Sequence, residues 1–151
     1  MLNFYSILVF IHIFSAILGM GPGFILTRIA KLANSMTEIR QAYRIRRDLH
    51  IFVMIGGTLL LITGLLMGFI HPYLFKMGWY VTSLVLFLTG LTMGPFVLSP
   101  KSKPIKELLE SHKGEDVPKE YETLSRELFR YERILNIIFL IIIVLMILKP
   151  F

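Results

Sequence analysis

Residues 51–70 read IFVMIGGTLLLITGLLMGFI, an uninterrupted run of twenty residues with no charged side chain. A helix of this length is about 30 Å long, which matches the hydrocarbon thickness of a bilayer. Comparable apolar runs occur at residues 2–26, 79–98 and 134–148. The last run has only fifteen residues, so its helix is expected to include the preceding residues and to span about 129–148. The pattern predicts an all-α four-helix transmembrane bundle that forms one domain over residues 1–151.

The composition supports a membrane protein. Apolar residues make up 55% of the 151 residues and the mean hydropathy is +0.70, well above the values of soluble domains. The chain has no Cys, which excludes disulfides, thiolate metal sites and Cys catalysis. The first residues show no basic region and no small-residue cleavage pattern, so we expect a retained span rather than a signal peptide.

Positive charge is concentrated between the apolar runs. Of the sixteen Lys and Arg residues, six lie in residues 28–47 and eight in residues 101–133. Cationic connections remain on the cytoplasmic side during insertion. We therefore expect cytoplasmic segments at 27–50 and 99–128, a short outer loop at 71–78, and both termini outside a bacterial cytoplasmic membrane. The net charge of +6 then suits anionic inner-leaflet lipids as partners rather than nucleic acid.

The two basic segments also carry helix signals. Ser35-Met-Thr-Glu38 is a capping box, which predicts one continuous helix from Met36 to Ile70. Ser102-Lys-Pro104 predicts the start of a separate short helix that ends at Gly114. Pro118 predicts the start of the helix that becomes the fourth span. The second and fourth helices are therefore expected to extend beyond the membrane into the cytosol.

Two sequence segments recur in the same order. Met20-Gly21-Pro22 in the first span is repeated as Met93-Gly94-Pro95 in the third. Tyr43-Arg44-x-x-Arg47 before the second span is echoed by Phe129-Arg130-x-x-Arg133 before the fourth. The order predicts a tandem repeat of two helical hairpins, with chance similarity as the alternative. Both prolines are expected to bend their helices.

Small residues form stripes at helical spacing on three of the spans. They are Ser15, Gly19 and Gly23 in the first span, Gly64 and Gly68 in the second, and Gly90 and Gly94 in the third. In lipid, such stripes let helix backbones approach closely. They indicate helix packing within the bundle, and a homodimer interface is the alternative interpretation.

His12 is the strongest single candidate for chemistry. It lies about 15 Å inside the first span, near the bilayer centre, where an ionisable group indicates function. Its expected states are a neutral ring bonded to a hydroxyl, a haem or metal ligand, or a proton relay. Thr89 lies at matching depth in the third span and is the predicted hydrogen-bond partner. His50 and His71 each lie about half a membrane away, so no metal site of several His residues is predicted.

A second group of candidates lies where the fourth helix enters the membrane. Arg130, Glu132 and Arg133 must pair there or reach the lipid headgroups. Snorkelling toward headgroups is one interpretation, and a site for an anionic ligand or a quinone headgroup is the other. The same interpretations apply to Arg44 and Arg47 before the second span. The sequence contains no phosphate-binding loop and no nucleophile elbow, so hydrolysis is not predicted.

Several features together resemble a known family. They are the ending Leu145-Met146-Ile147-Leu148-Lys149-Pro150, the glycine–proline motif of the first span and Trp79 at the start of the third. They resemble an uncharacterised bacterial family of four-span integral membrane proteins, a domain of unknown function. A more distant likeness is to haem- and copper-related four-helix membrane proteins, of the bacterial protoporphyrinogen oxidase and copper-resistance D types. That likeness rests on His12 with Arg28 and implies haem b as a candidate cofactor, although the third span departs from it by having no His or Lys.

The leading functional hypothesis is a small non-catalytic accessory, assembly or binding subunit. It follows because packing surfaces and basic helices are present without a catalytic set. The alternative is a membrane redox protein that uses haem or quinone at His12. A weaker alternative is an oligomeric channel or carrier.

Overall fold

The computed structural model describes residues 3–151, and the described chain is built from helices without a β-strand. Helix α1 spans Phe4–Lys31, α2 spans Met36–Ile70, α3 spans Gly78–Met93, α4 spans Ser99–Ser111 and α5 spans Lys119–Leu148, with a short 3₁₀ helix at Pro72–Lys76. Within residues 3–151, four helical stretches are long and apolar enough to cross a membrane: α1, α2, α3 continued into α4, and α5. The predicted all-α four-helix bundle is therefore confirmed. The predicted first residue of the first span, Leu2, lies outside the described residues.

Helix α2 begins and ends at the predicted residues. The Ser35 hydroxyl oxygen accepts a hydrogen bond from the Glu38 backbone N–H at 3.3 Å, as a capping box requires. In a capping box the Glu38 carboxylate would accept a hydrogen bond from the Ser35 N–H. Here it accepts one from the N–H of the preceding residue, Asn34, at 2.6 Å. The 35 residues give a helix of about 52 Å, which exceeds the thickness of the hydrocarbon core.

The third long helix corrects the prediction of a separate helix that starts at Ser102. Helix α3 continues through a π-helical turn, Gly94–Leu98, directly into α4. The Ser99 N–H donates to the Gly94 carbonyl five residues earlier, so the turn is widened around Pro95. Proline has no N–H and its ring crowds the preceding turn of a regular helix. The wide turn accommodates that ring without ending the helix, and Ser102 therefore lies inside a helix.

The described residues form two apolar cores along the length of the bundle. The membrane core contains Met20, Leu60, Phe87, Phe139 and Ile142. The second core lies where the end of α1, the start of α2, α4 and the start of α5 meet, which we term the basic end. It contains Ala30, Met36, Ile39, Ile105, Leu109, Tyr121, Leu128 and Phe129.

The predicted extensions of the second and fourth helices are present, but they do not project separately. They pack against each other and against α4, and both Met36 and Ile105 are fully buried there. Packing follows because an amphipathic helix outside the membrane gains free energy when its apolar stripe leaves water.

The outer surface of the membrane part is apolar. Large side chains face outward on each of the four spans, for example Phe14 on α1, Phe52 on α2, Val85 on α3 and Ile141 on α5. In water such a continuous surface would cause association, whereas in a bilayer the lipid tails cover it. The exposed surface therefore suits a bundle surrounded by lipid.

At the opposite end of the bundle, the chain returns to the start of α3. Helix α5 ends at Leu148, and the next residue, Lys149, has a left-handed conformation (φ 46°) that turns the backbone. The Phe151 carbonyl oxygen accepts a hydrogen bond from the Trp79 N–H at 3.0 Å. The Lys149 ammonium lies 5.2 Å from the centre of the Trp79 ring. Two of the features that carry the family resemblance therefore meet in space.

Candidate functional site

Helices α1 and α2 cross at two glycines. A Cβ atom added at Gly19 would lie 2.8 Å from the Gly57 nitrogen, and one added at Gly56 would overlap the Gly19 backbone. Only glycines allow backbones to approach this closely. Gly19 is one of the predicted packing residues, whereas Gly56 was missed because the adjacent pair Gly56-Gly57 does not form a stripe of small residues four apart.

The other predicted packing residues have varied surroundings. Gly64 lies beside the His12 ring, Gly68 beside Phe75 and Tyr80, Gly90 beside Leu135 and Phe139, and Gly23 beside Asn136. Ser15 is fully buried, and its hydroxyl donates to the Ile11 carbonyl at 2.6 Å. The packing contact predicted for Gly94 is absent, since a Cβ there would meet nothing within 4 Å in the described part of the chain. Gly94 instead begins the π-helical turn.

The His12 ring is held by α2. Its Nδ1 lies 2.8 Å from the Thr63 hydroxyl oxygen. The Thr63 hydroxyl donates its one proton to the Leu59 carbonyl at 2.7 Å, so its oxygen acts as an acceptor toward the ring. The proton of a neutral His12 is thereby assigned to Nδ1, and Nε2 keeps a free lone pair.

The structure brings Thr63, and not the predicted Thr89, to His12. The Thr89 hydroxyl donates to the Val85 carbonyl at 2.9 Å, and the residue is exposed. His12 precedes Gly19 by seven residues and Thr63 follows Gly56 by seven, so both lie two turns from the glycine crossing. Thr89 was predicted because it lies at the same depth in the membrane as His12. The partner of His12 instead lies on α2, because α2 is the helix that packs closely against α1.

A cavity of about 430 Å³ lies beside His12, between α1, α2, α3 and α5. Its wall is apolar except for His12, Tyr80 and Ser83. The Tyr80 hydroxyl donates to the Gly64 carbonyl at 2.8 Å. The Ser83 hydroxyl is buried without a hydrogen-bond partner among residues 3–151. The Ser83 hydroxyl is fully covered and therefore closed to a ligand, whereas the His12 Nε2 remains able to bond one.

The cavity is open on the side of the bundle. Ile13, Ile17, Phe24 and Ile147 line it and are also exposed. His12 and Phe24 are twelve residues apart, so the cavity extends about 18 Å along α1. Its shape and chemistry suit an elongated apolar molecule that enters from the surrounding lipid.

The cavity offers one ring nitrogen that could bind a haem iron. Within residues 3–151, no group of three or more His, Cys, Asp or Glu side chains is placed to hold a metal ion. The cavity offers the His12 nitrogen and two thioethers, Met20 and Met146. An imidazole that donates Nδ1–H to a neighbouring oxygen is oriented to bind a metal through Nε2. His12 would therefore hold the iron, and Thr63 would orient the ring.

A buried charged cluster separates the two cores. Arg46 of α2 and Glu132 of α5 form an ion pair whose side chains are only 11% and 10% exposed. The Arg46 guanidinium also donates to the Leu26 carbonyl of α1 at 2.6 Å, and the Thr27 hydroxyl donates to the Glu132 carboxylate. The guanidinium lies 5.1 Å from the centre of the Tyr43 ring. Three helices are thus joined at one level by charge-assisted hydrogen bonds.

The pairing of Arg46 with Glu132 was not predicted from the sequence. Arg46 was counted among the cations, and Glu132 was expected either to pair or to snorkel. The predicted repeat could have indicated this pair. It aligns Tyr43 with Phe129, and the residues three positions later are Arg46 and Glu132. If the two hairpins are related by a rotation axis that passes near these residues, their aligned positions contact each other. The repeat itself stays a prediction.

The basic end also contains a polar recess of about 450 Å³ between α1 and α5. We term it the basic recess, and it is lined by Lys31, Glu122, Ser125, Arg126, Phe129, Arg130 and Arg133. The recess contains two of the predicted arginines, Arg130 and Arg133, together with Lys31 and Arg126, which were not predicted as site residues. The other two predicted arginines, Arg44 and Arg47, are exposed on α2 and do not line it.

Comparison with known proteins identifies a family for this chain. The sequence model of a family described as "Predicted integral membrane protein (DUF2269)" matches residues 6–150. Neither a curated protein nor a solved structure matches the chain. The family match confirms the predicted membrane class and the predicted resemblance to an uncharacterised family of integral membrane proteins.

Proposed function

Because this chain belongs to the DUF2269 family of predicted integral membrane proteins, we propose that it is a non-catalytic binding protein of the membrane. Its ligand is an elongated apolar molecule dissolved in the bilayer, with a hydroxyl group on its head. The observation that carries this proposal is the apolar cavity of about 430 Å³, which His12 lines with a free lone pair on Nε2. A quinol belongs to this ligand class.

The affinity of the ligand depends mainly on the hydroxyl group of its head. Moving an apolar tail from lipid into an apolar cavity changes its free energy little, because both surroundings are apolar. A hydroxyl that donates to His12 Nε2 gains a hydrogen bond where water does not compete. The site therefore selects hydroxyl-headed molecules from the surrounding lipid.

Replacement of His12 by Leu is expected to weaken the binding of a decyl-substituted benzoquinol by about tenfold or more. One hydrogen bond in an apolar site is worth about 1–3 kcal/mol, and 1.4 kcal/mol corresponds to a factor of about ten. Affinity is measured by equilibrium dialysis of the purified protein in detergent. Thr89→Val, on the exposed face of α3, serves as the matched control and is expected to retain the wild-type affinity.

The dimethyl ether of the same quinol provides the matched ligand control. It keeps the ring and the tail, and a methyl group replaces each hydroxyl proton, so it has no hydrogen-bond donor. It should therefore bind the wild-type protein no more tightly than the quinol binds the His12 variant. Equal affinities of the wild-type protein for the quinol and its ether would contradict the proposed role of Nε2.

Haem is a second candidate ligand for the same cavity. The observation that favours it is the hydrogen bond from His12 Nδ1 to Thr63, which leaves Nε2 oriented for iron. A bound haem would supply electron-transfer chemistry. The absorption spectrum of protein from haem-supplied cells separates the two candidates. A Soret band that is lost in His12→Ala supports haem, and a spectrum without such a band removes it.

We also propose an orientation of the protein in the membrane. The basic end lies in the cytoplasm and both termini lie outside, which the location of fourteen of the sixteen Lys and Arg residues supports. A phosphatase reporter that requires an oxidising compartment is expected to be active when fused to either terminus. The same reporter inserted after Gly114 should be inactive. A reversed pattern of activities would overturn this orientation.

A further inference from the structure

The basic recess collects cations from two helices. Lys31 comes from the last turn of α1, while Arg126, Arg130 and Arg133 follow one another on α5 at spacings of four and three residues. Residues at these spacings lie on one face of a helix. Among the residues that the structure describes, Glu122 is the one carboxylate that lines the recess, so four cations and one anion give a formal charge of +3.

In the described part of the chain, no cation of the recess forms an ion pair within 4 Å. Within residues 3–151, the ion pairs are Arg46–Glu132, Arg47–Asp48, Lys101–Glu127 and His112–Asp116, and none of them includes a cation of the recess. The Lys31 ammonium instead lies 5.7 Å from the centre of the Phe129 ring. Several like charges in one recess repel each other, so an anion bound there is attracted by all of them at once.

The recess lies where the membrane surface begins. Arg130 is two residues before Glu132 and Arg133 is one residue after it, so both arginines lie level with the ion pair that separates the two cores. An uncharged run, Ile134–Leu148, follows immediately, and Ile134 and Ile137 are exposed on it. An anion held by the arginines would therefore lie next to a lipid-facing apolar surface.

We propose that the basic recess binds the phosphate headgroup of an anionic phospholipid, with its acyl chains against the exposed face of α5. Basic pockets between transmembrane helices recognise such headgroups by charge and hydrogen bonds. Inorganic phosphate shares the charge, but it has no chains for the surface formed by Ile134 and Ile137. None of the cations of the recess lines the His12 cavity, so this site is independent of the proposed function.

The full-length protein in mild detergent is expected to show one bound phosphatidylglycerol per chain in native mass spectra, with phosphatidylcholine present in equal amount. The double variant Arg130→Gln, Arg133→Gln should lower the apparent affinity for phosphatidylglycerol about thirtyfold. Each cation near an anionic lipid contributes about 1 kcal/mol, a factor of about five. Wild-type preference for phosphatidylcholine, or equal retention of both lipids, would overturn the proposal.

The chain offers a matched control in Arg44→Gln, Arg47→Gln. These arginines lie two residues before and one residue after Arg46, at the depth of the recess arginines but outside the recess. The control is expected to retain the lipid as the wild type does. An equal loss in both double variants would mean that general surface charge binds the lipid, and the proposed site would be wrong.

Inorganic phosphate forms the second arm of the experiment. Millimolar phosphate is expected to leave the bound phosphatidylglycerol in place, because the acyl chains add contacts that phosphate lacks. Complete displacement by phosphate would assign the recess to a soluble anion and overturn the lipid assignment. If the double variant on α5 does not fold, Lys31→Gln with Arg126→Gln tests the same recess, and unchanged lipid binding in that variant would also overturn the proposal.

Discussion

Glu132→Leu is expected to lower the free energy of unfolding by about 3–5 kcal/mol, because it leaves the Arg46 guanidinium buried without its counter-ion. The Thr27 hydroxyl loses its acceptor in the same variant. The cluster joins α1, α2 and α5 between the two cores, so its loss should loosen all three helices at that level. The midpoint of detergent-induced unfolding of the purified protein measures the effect.

Replacing both partners separates charge from packing. Arg46→Met combined with Glu132→Leu is expected to recover most of the lost stability, since an apolar pair leaves no uncompensated charge. Glu127→Leu, which breaks the exposed pair with Lys101, serves as a surface control and should change the midpoint far less. A double variant as unstable as Glu132→Leu alone would contradict the proposed cause.

Gly56→Ala is expected to destabilise the protein by about 1–3 kcal/mol, because the added methyl group would overlap the Gly19 backbone. A backbone cannot change rotamer to make room, so the two helices must separate. The crossing also sets the approach of His12 to Thr63, and we therefore expect weaker quinol binding in the same variant. Unfolding midpoints and equilibrium dialysis provide the two measurements.

The neighbouring glycine supplies the control. A Cβ at Gly57 would meet nothing within 4 Å in the described residues, and Ala is favoured over Gly inside a helix by about 1 kcal/mol. Gly57→Ala should therefore be neutral or stabilising, opposite in sign to Gly56→Ala. If both substitutions destabilised the protein equally, the close crossing of α1 and α2 would be wrong.

The helices were predictable where local chemistry decides them. The bounds of α2 follow from the capping box at Ser35 and from an apolar run that ends before Pro72. The break predicted at Ser102 is absent, because the π-helical turn accommodates Pro95 and Ile105 on α4 becomes buried in the second core. Tertiary packing therefore outweighed a local signal for a helix start.

The candidate site was predictable only in part. His12 was identified from its depth, and Arg130 and Arg133 from their position at the membrane entry. Thr63 was not identified, because a threonine in an apolar helix often bonds its own backbone, as Thr63 also does with Leu59. Which face of α2 meets α1 depends on the rotation of the helix about its axis.

Hydropathy and charge determined from the sequence alone that the chain forms four membrane helices with one basic end. Both are sums over many residues, so no single contact alters them. Only the tertiary structure decided that Thr63 bonds His12, that Glu132 pairs with Arg46 and that four cations line one recess. The reason is geometric: helix rotation and crossing follow from a few close contacts, such as Gly19 on Gly56, between residues far apart along the chain.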